Sequence, residues 1–117
     1  MESGDQNVLL DMEALKSAFM GDNFIIKQIL QAFQDTFKDF QKEFDRLHMD
    51  VKSEELSRLV HGLKGSSANI RANLLSEQAA SLQQQIDQNQ DYTETYQHLK
   101  STLSRINREI DAFIAKR

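Results

Sequence analysis

Residues 92–113 read YTETYQHLKSTLSRINREIDAF. Tyr92, Tyr96, Leu99, Leu103, Ile106, Ile110 and Phe113 recur there at alternating steps of four and three. A helix has about 3.6 residues per turn, so these steps keep all seven side chains on one face. No other stripe in the chain is as regular. It predicts a long amphipathic helix that must bury one side against other elements.

Earlier segments repeat the pattern. Ile26, Leu30, Phe33, Phe37, Phe40, Phe44 and Leu47 form a stripe that predicts one helix over about 24–48. Phenylalanines at this spacing are core more often than ligand pocket. Ile25 and Ile29 lie partly off the stripe, as core or as a small apolar docking patch. Leu56, Leu59, Val60, Leu63, Ser67 and Ile70 define a helix that starts near Ser53, a plausible N-cap before Glu54 and Glu55. Leu75, Ala79, Leu82 and Ile86 define another, with Asn73 as its cap. Residues 89–91 break the pattern, and Asp91 with Glu94 resembles a capping box. Ahead of these, Met12, Leu15 and Phe19 suggest a short helix capped by Asp11, followed by a break at 21–23 where Asp22 or Asn23 caps the next.

Five helical segments are therefore expected. The simplest burial of four long apolar faces with short connections is an all-α, antiparallel up-down four-helix bundle. The short N-terminal helix would cap one end. Residues 1–7 are polar and are expected to be a flexible lead to a single domain over 8–117.

Composition narrows the class. The 117 residues fit one core, and with 27% charged and 39% hydrophobic residues the chain reads as a folded, soluble domain. It has no proline and only 4 glycines, which favours long helices over the many turns of a sheet protein. A formal charge of -4 without a basic block argues against nucleic acid. Without cysteine there are no disulfides and no thiolate metal site. No apolar run is long enough to span a bilayer, and 1–7 lacks a signal-peptide apolar core, so a cytoplasmic location is expected.

The chemistry concentrates in His61-Gly62-Leu63-Lys64-Gly65-Ser66-Ser67. With Leu56, Val60, Leu63 and Ser67 facing inward, His61 lies roughly 130–140° away and Lys64 roughly 80°. His61 is thus on the outer flank, with Gly65 one turn on and Ala68 two. Each glycine inside a helix costs about 0.5–1 kcal/mol relative to alanine, so each needs a reason. Gly65 leaves the imidazole open to a bulky partner. Lys64 sets a cation one turn from a ring that is a competent nucleophile near neutral pH. Such a cation can neutralise phosphoryl oxygens during transfer. Taken singly, Lys64 could be a plain solvated lysine and Gly65 a helix kink.

The run His61-x-x-Lys64-Gly65-Ser66-Ser67-Ala68 closely resembles the signature of histidine phosphotransfer (HPt) domains of multistep phosphorelays, and the segmentation resembles the family over nearly the whole chain. The resemblance implies a phosphocarrier without autokinase activity. His61 would accept a phosphoryl group from a receiver-domain aspartyl phosphate and pass it to another receiver aspartate. Lys64 would assist, Gly65 and Ala68 would give the receiver clearance, and Gln83, in Leu82-Gln83-Gln84-Gln85, would hydrogen-bond near the imidazole. The partners implied are the receivers of a hybrid sensor kinase and of a downstream regulator. The chain would need no cofactor of its own, Mg²⁺ coming from the receiver, and would be a monomer. One departure stands out. The family commonly has glycine after the apolar residue that closes this helix, and here that position is Arg71.

Two other functions are open to a chain like this. A helical adaptor or dimerisation bundle could use the 99–113 heptads to hold a partner helix. A sensor-kinase dimerisation domain also exposes a helical histidine, but it is expected to bring an ATP-binding domain and an acidic residue where this chain has Gly62. His48 and His98 read as surface histidines. A di-iron site would need Glu-x-x-His motifs, which the sequence lacks.

Overall fold

The 92–113 stripe becomes the longest helix of the computed structural model, which describes residues 9–116. Among these residues there are six helices and no strand: α1 (Met12–Ala18), α2 (Asn23–Phe37), α3 (Phe40–Met49), α4 (Ser53–Asn69), α5 (Asn73–Asp87) and α6 (Thr93–Ala115). The chain is an all-helical bundle. α4 packs on α5, α5 on α6, α3 on α4, α2 on α6, and α1 on α2. The expected lead at 1–7 lies outside the described residues.

The stripes close on one core. Ile26, Leu30, Val60, Leu63, Leu75, Leu82, Leu99, Ile106 and Ile110 are fully buried. Each large side chain contributes roughly 1.5–3 kcal/mol by leaving water. Phe33, Phe37, Phe40 and Phe44 form a ladder of tilted and edge-on rings, with centroids 5.1 to 6.3 Å apart. Phe44 then stacks on Tyr96 at 3.8 Å, joining α3 to α6. Tyr96 donates from its hydroxyl to Asp45. Burial, reinforced by that carboxylate, pushes the phenol well above its ordinary range. The α6 stripe that an adaptor would offer to a partner helix is spent inside the bundle.

Several local expectations need correction. The helix expected over 24–48 is two helices, interrupted at Lys38 and Asp39. The break spans two residues, so the stripe stays in phase and the phenylalanines face inward on both sides. Ser53 and Asn73 are the first helical residues rather than N-caps; Lys52 and Ala72 precede them, without a side-chain cap bond. Asp91 accepts from the backbone N–H and the hydroxyl of Thr93, ahead of the Tyr92 cap, instead of forming a capping box with Glu94. Asp11 and Asp22 do cap α1 and α2, accepting from Ala14 N–H and from Phe24 and Ile25 N–H.

Four helices end through a left-handed residue that is not glycine: Met20, Val51, Arg71 and Asn89. After α4, Ala72 N–H reaches Ser67 O at 2.9 Å and Arg71 N–H reaches Ala68 O at 3.0 Å, a Schellman closure. Arg71 takes φ +63°, the conformation glycine adopts freely, so the departure from glycine leaves this turn in place. Its guanidinium donates back to Ala68 O, and its own carbonyl accepts from Asp11 N–H, tying the start of α1 to the end of α4. The Glu109 carboxylate accepts from the N–H groups of Leu9 and Leu10, fixing the same segment to α6.

Val51 is the most strained of the four, because a β-branched side chain at φ +55° crowds its own backbone. It is 81% exposed and contributes little packing. Val51→Gly is expected to stabilise the domain by about 1 kcal/mol in chemical denaturation. A destabilised variant would show that Val51 makes an interaction stronger than its strain.

Candidate functional site

α4 carries the site because its apolar face consumes only one side. Leu56, Val60, Leu63 and Ser67 point inward and are buried, which turns His61 outward into solvent. The Ser67 hydroxyl donates to Leu63 O at 2.6 Å, so a polar side chain faces the core without an unpaired group. Gly62 and Gly65 are exposed, Lys64 is half-buried, and Ala68 is exposed farther along the same flank.

The two glycines have no internal reason. Apart from its own turn of helix, a Cβ built at Gly62 or at Gly65 meets no atom of the described residues within 4 Å. Neither helix packing nor a positive φ requires glycine at either position. The helix therefore forgoes stability at both places beside His61 with no return inside the domain.

α5 supplies the other half of the site. Gln83 Oε1 lies 3.3 Å from His61 Nδ1, and Gln83 Nε2 donates to Ser57 Oγ at 3.3 Å. Ser57 is one turn before His61 on α4, so the amide is held at both ends. Ser76 Oγ donates to Lys64 O at 3.0 Å, a second polar link between the helices next to the site. An amide oxygen can only accept, so this arrangement puts the hydrogen on Nδ1. Nε2 is left with its lone pair, on a ring open to solvent.

On its other side α4 borders two grooves against α2 and α3. One, of about 480 Å³, is lined by Phe37, Phe40, Arg58, Leu59, Gly62 and Ser66 among others. The next, of about 170 Å³, runs past Ile29, Phe33, Ser66 and Ile70. Ile29 thus serves both core and groove wall, while Ile25 is 40% exposed. A larger concavity of about 580 Å³ lies by Leu10, Arg71 and Leu74, roughly 15 Å along α4 from His61, and takes no part in this arrangement.

The other two histidines have no comparable setting. The His48 ring meets the Tyr92 hydroxyl through Nδ1 and the Tyr92 ring edge-on. His98 is exposed. Three site neighbours escaped the sequence reading: Ser57, Ser76 and Arg58. Ser57 and Arg58 were within reach of it, since they stand four and three residues before His61. Ser76 required the α4–α5 pairing.

An exposed helical imidazole, oriented by an amide from the next helix and flanked by a lysine and unoccupied glycines, is suited to carrying a group between partners. The Hpt domain family model matches residues 28–115, which include this whole site. The chain belongs to the Hpt domain family, the histidine-containing phosphotransfer domains that work with receiver domains in two-component phosphorelays. No curated protein and no solved structure matches it. Among the described residues, no helix is long and apolar enough to cross a membrane.

Proposed function

We propose that this protein is a cytoplasmic phosphocarrier that takes a phosphoryl group onto His61 from a receiver aspartyl phosphate and gives it to a second receiver aspartate. One observation carries the reading: His61 faces solvent while Gln83 Oε1 holds its Nδ1. The Nε2 lone pair attacks phosphorus, the N–P bond forms, and the P–O bond to the aspartate breaks. The electron pair leaves on the receiver's carboxylate. The Nδ1 hydrogen stays in place, so the ring gains positive charge, and Gln83 stabilises that charge. Lys64, one turn away, offsets the phosphoryl oxygens. Transfer to the next aspartate is the same step reversed.

The proposal gives the chain no autokinase activity and no metal of its own; Mg²⁺ belongs to the receiver's carboxylates. It makes the domain a monomer whose α4 flank, with Gly65 and Ala68, meets one receiver at a time, first that of a hybrid kinase and then that of a regulator. The helix neighbours support an antiparallel up-down arrangement of α2–α3, α4, α5 and α6, with α1 across one end.

Gln83 gives this mechanism a specific test. Gln83→Ala removes a hydrogen bond that strengthens as the ring becomes charged, worth about 1.5 kcal/mol and so roughly tenfold in the transfer rate. Single-turnover transfer from a phosphorylated receiver checks it. Nitrogen-15 spectra of labelled wild type are expected to show the Nδ1–H tautomer before transfer and phosphorylation at Nε2 after it. Phosphorylation at Nδ1 contradicts the assignment.

A further inference from the structure

Lys64 is not the only cation one turn from His61. Arg58 stands three residues before the histidine and Lys64 three after, so the two bracket it along the exposed flank of α4. Gly65 and Gly62 open the surface on Arg58's side of the helix, while Ser57 and Gln83 fill the other. Arg58 is exposed and makes no hydrogen bond or ion pair with the described residues. By contrast Arg46, one helix away, is held by Glu43 at 2.6 Å and by Asp50 at 3.7 Å.

The surroundings give this free guanidinium a role. It lines the groove between α3 and α4 together with Asp39 and Glu43. It also lines the groove toward the end of α5, together with Glu54 and Asp87. It is the one cation among the lining residues of either groove. Without it, the charged residues lining the two grooves would all be carboxylates, of which only Glu43 is already paired, with Arg46. A partner that delivers an aspartyl phosphate brings carboxylate and phosphoryl oxygens by the nature of the reaction. Such a partner would be repelled there.

We propose that Arg58 is a receiver-binding residue that pairs with a carboxylate on the partner's surface, setting affinity and partner choice rather than the rate of the transfer step. This rests on the phosphocarrier reading and adds to it a division of labour. Lys64 acts on the phosphoryl group, and Arg58 acts on docking. A guanidinium suits the task because its planar fork can grip a carboxylate through two hydrogen bonds, and here no bond to the described residues must break first.

The test uses the full chain and whichever receiver of an aspartyl-phosphorylated panel transfers fastest. Wild type, Arg58→Gln, Arg58→Lys and Lys64→Gln are compared in single-turnover transfer as protein concentration and salt are varied. Arg58→Gln is expected to raise the half-saturating concentration about tenfold, to flatten its salt dependence, and to leave the saturated rate within twofold. Arg58→Lys is expected to restore the salt dependence but only part of the affinity. Lys64→Gln is expected to lower the saturated rate instead. Phosphoramidate, a small donor that needs no docking, is expected to phosphorylate His61 equally in wild type and Arg58→Gln. Unchanged half-saturation in Arg58→Gln overturns the assignment and leaves the phosphocarrier reading standing. So does a fall confined to the saturated rate. If wild type accepts no phosphoryl group from any receiver while phosphoramidate still labels it, the phosphocarrier reading falls, and the Arg58 assignment falls with it.

Discussion

Replacing His61 by glutamine is expected to abolish phosphoryl acceptance completely while leaving the bundle folded. The two halves of this expectation have separate causes. Chemically, a neutral amide offers no nitrogen lone pair that can attack phosphorus, and neither His48 nor His98 stands beside a lysine and a clearing glycine. Structurally, His61 faces solvent, and among the described residues its side chain makes a single hydrogen bond, of 3.3 Å to Gln83. Losing such a contact costs at most about 1 kcal/mol, small against the stability of a domain this size. A glutamine amide can moreover still reach Gln83. Circular dichroism and thermal unfolding within a few degrees of wild type, beside total loss of label from a phosphorylated receiver, is the expected pair of results. Retained label would move the acceptor to another residue, and an unfolded variant would mean that His61 is structural.

The second large effect concerns Gly65. Gly65→Leu is expected to stabilise the protein and cripple it at once. Beyond its own turn of helix, none of the described residues lies within 4 Å of a Cβ at this position, so a side chain can be added without displacing a packed neighbour. Replacing glycine inside a helix by leucine gains about 0.5–1 kcal/mol. The added side chain stands one turn from His61, on the surface that a receiver must approach closely enough to bring phosphorus to the imidazole. A displacement of about 1 Å in such a reaction costs on the order of a hundredfold. Transfer from a receiver is expected to fall by about that factor, while labelling by phosphoramidate stays unchanged. Denaturant midpoint and transfer rate moving in opposite directions is the signature of a residue kept for a partner. If transfer is unaffected, the open face beside His61 is not where receivers dock.

How much of this was legible beforehand depended on whether the information lay within one helix or between two. Periodicity placed every stripe, because the side chains on one face of a helix depend only on spacing. The same property hid the interruption at Lys38 and Asp39: steps of four and three run straight through it from Phe33 to Leu47, and neither glycine nor proline marks it. The entries of α4 and α5 were misread by one residue. Each follows a left-handed turn, at Val51 and at Arg71, and the backbone leaving that turn, rather than a capping side chain, sets where the helix begins. Arg71 itself read as a departure because the resembled family commonly has glycine there, and its left-handed backbone came to light only in the structure.

The site divides in the same way. The outward direction of His61 and the position of Lys64 came from the geometry of α4 alone. Gln83 and Ser76 sit on α5, and no spacing within α4 points to them; Gln83 was reached through the family resemblance. Arg58 obeys the one-turn rule that singled out Lys64, but it lies before the motif instead of within it. The purpose of Gly62 and Gly65 could be weighed only once the space around each was known.

The proposed role of His61 is to carry a phosphoryl group between receivers. The most direct measurement is the intact mass of the wild-type protein and of His61→Gln after mixing with a panel of phosphorylated receiver domains. Wild type is expected to gain one acid-labile phosphoryl group, absent from the variant, and to return it to a second receiver added afterwards. No gain from any receiver, under conditions where the same receivers phosphorylate a known carrier, would contradict it.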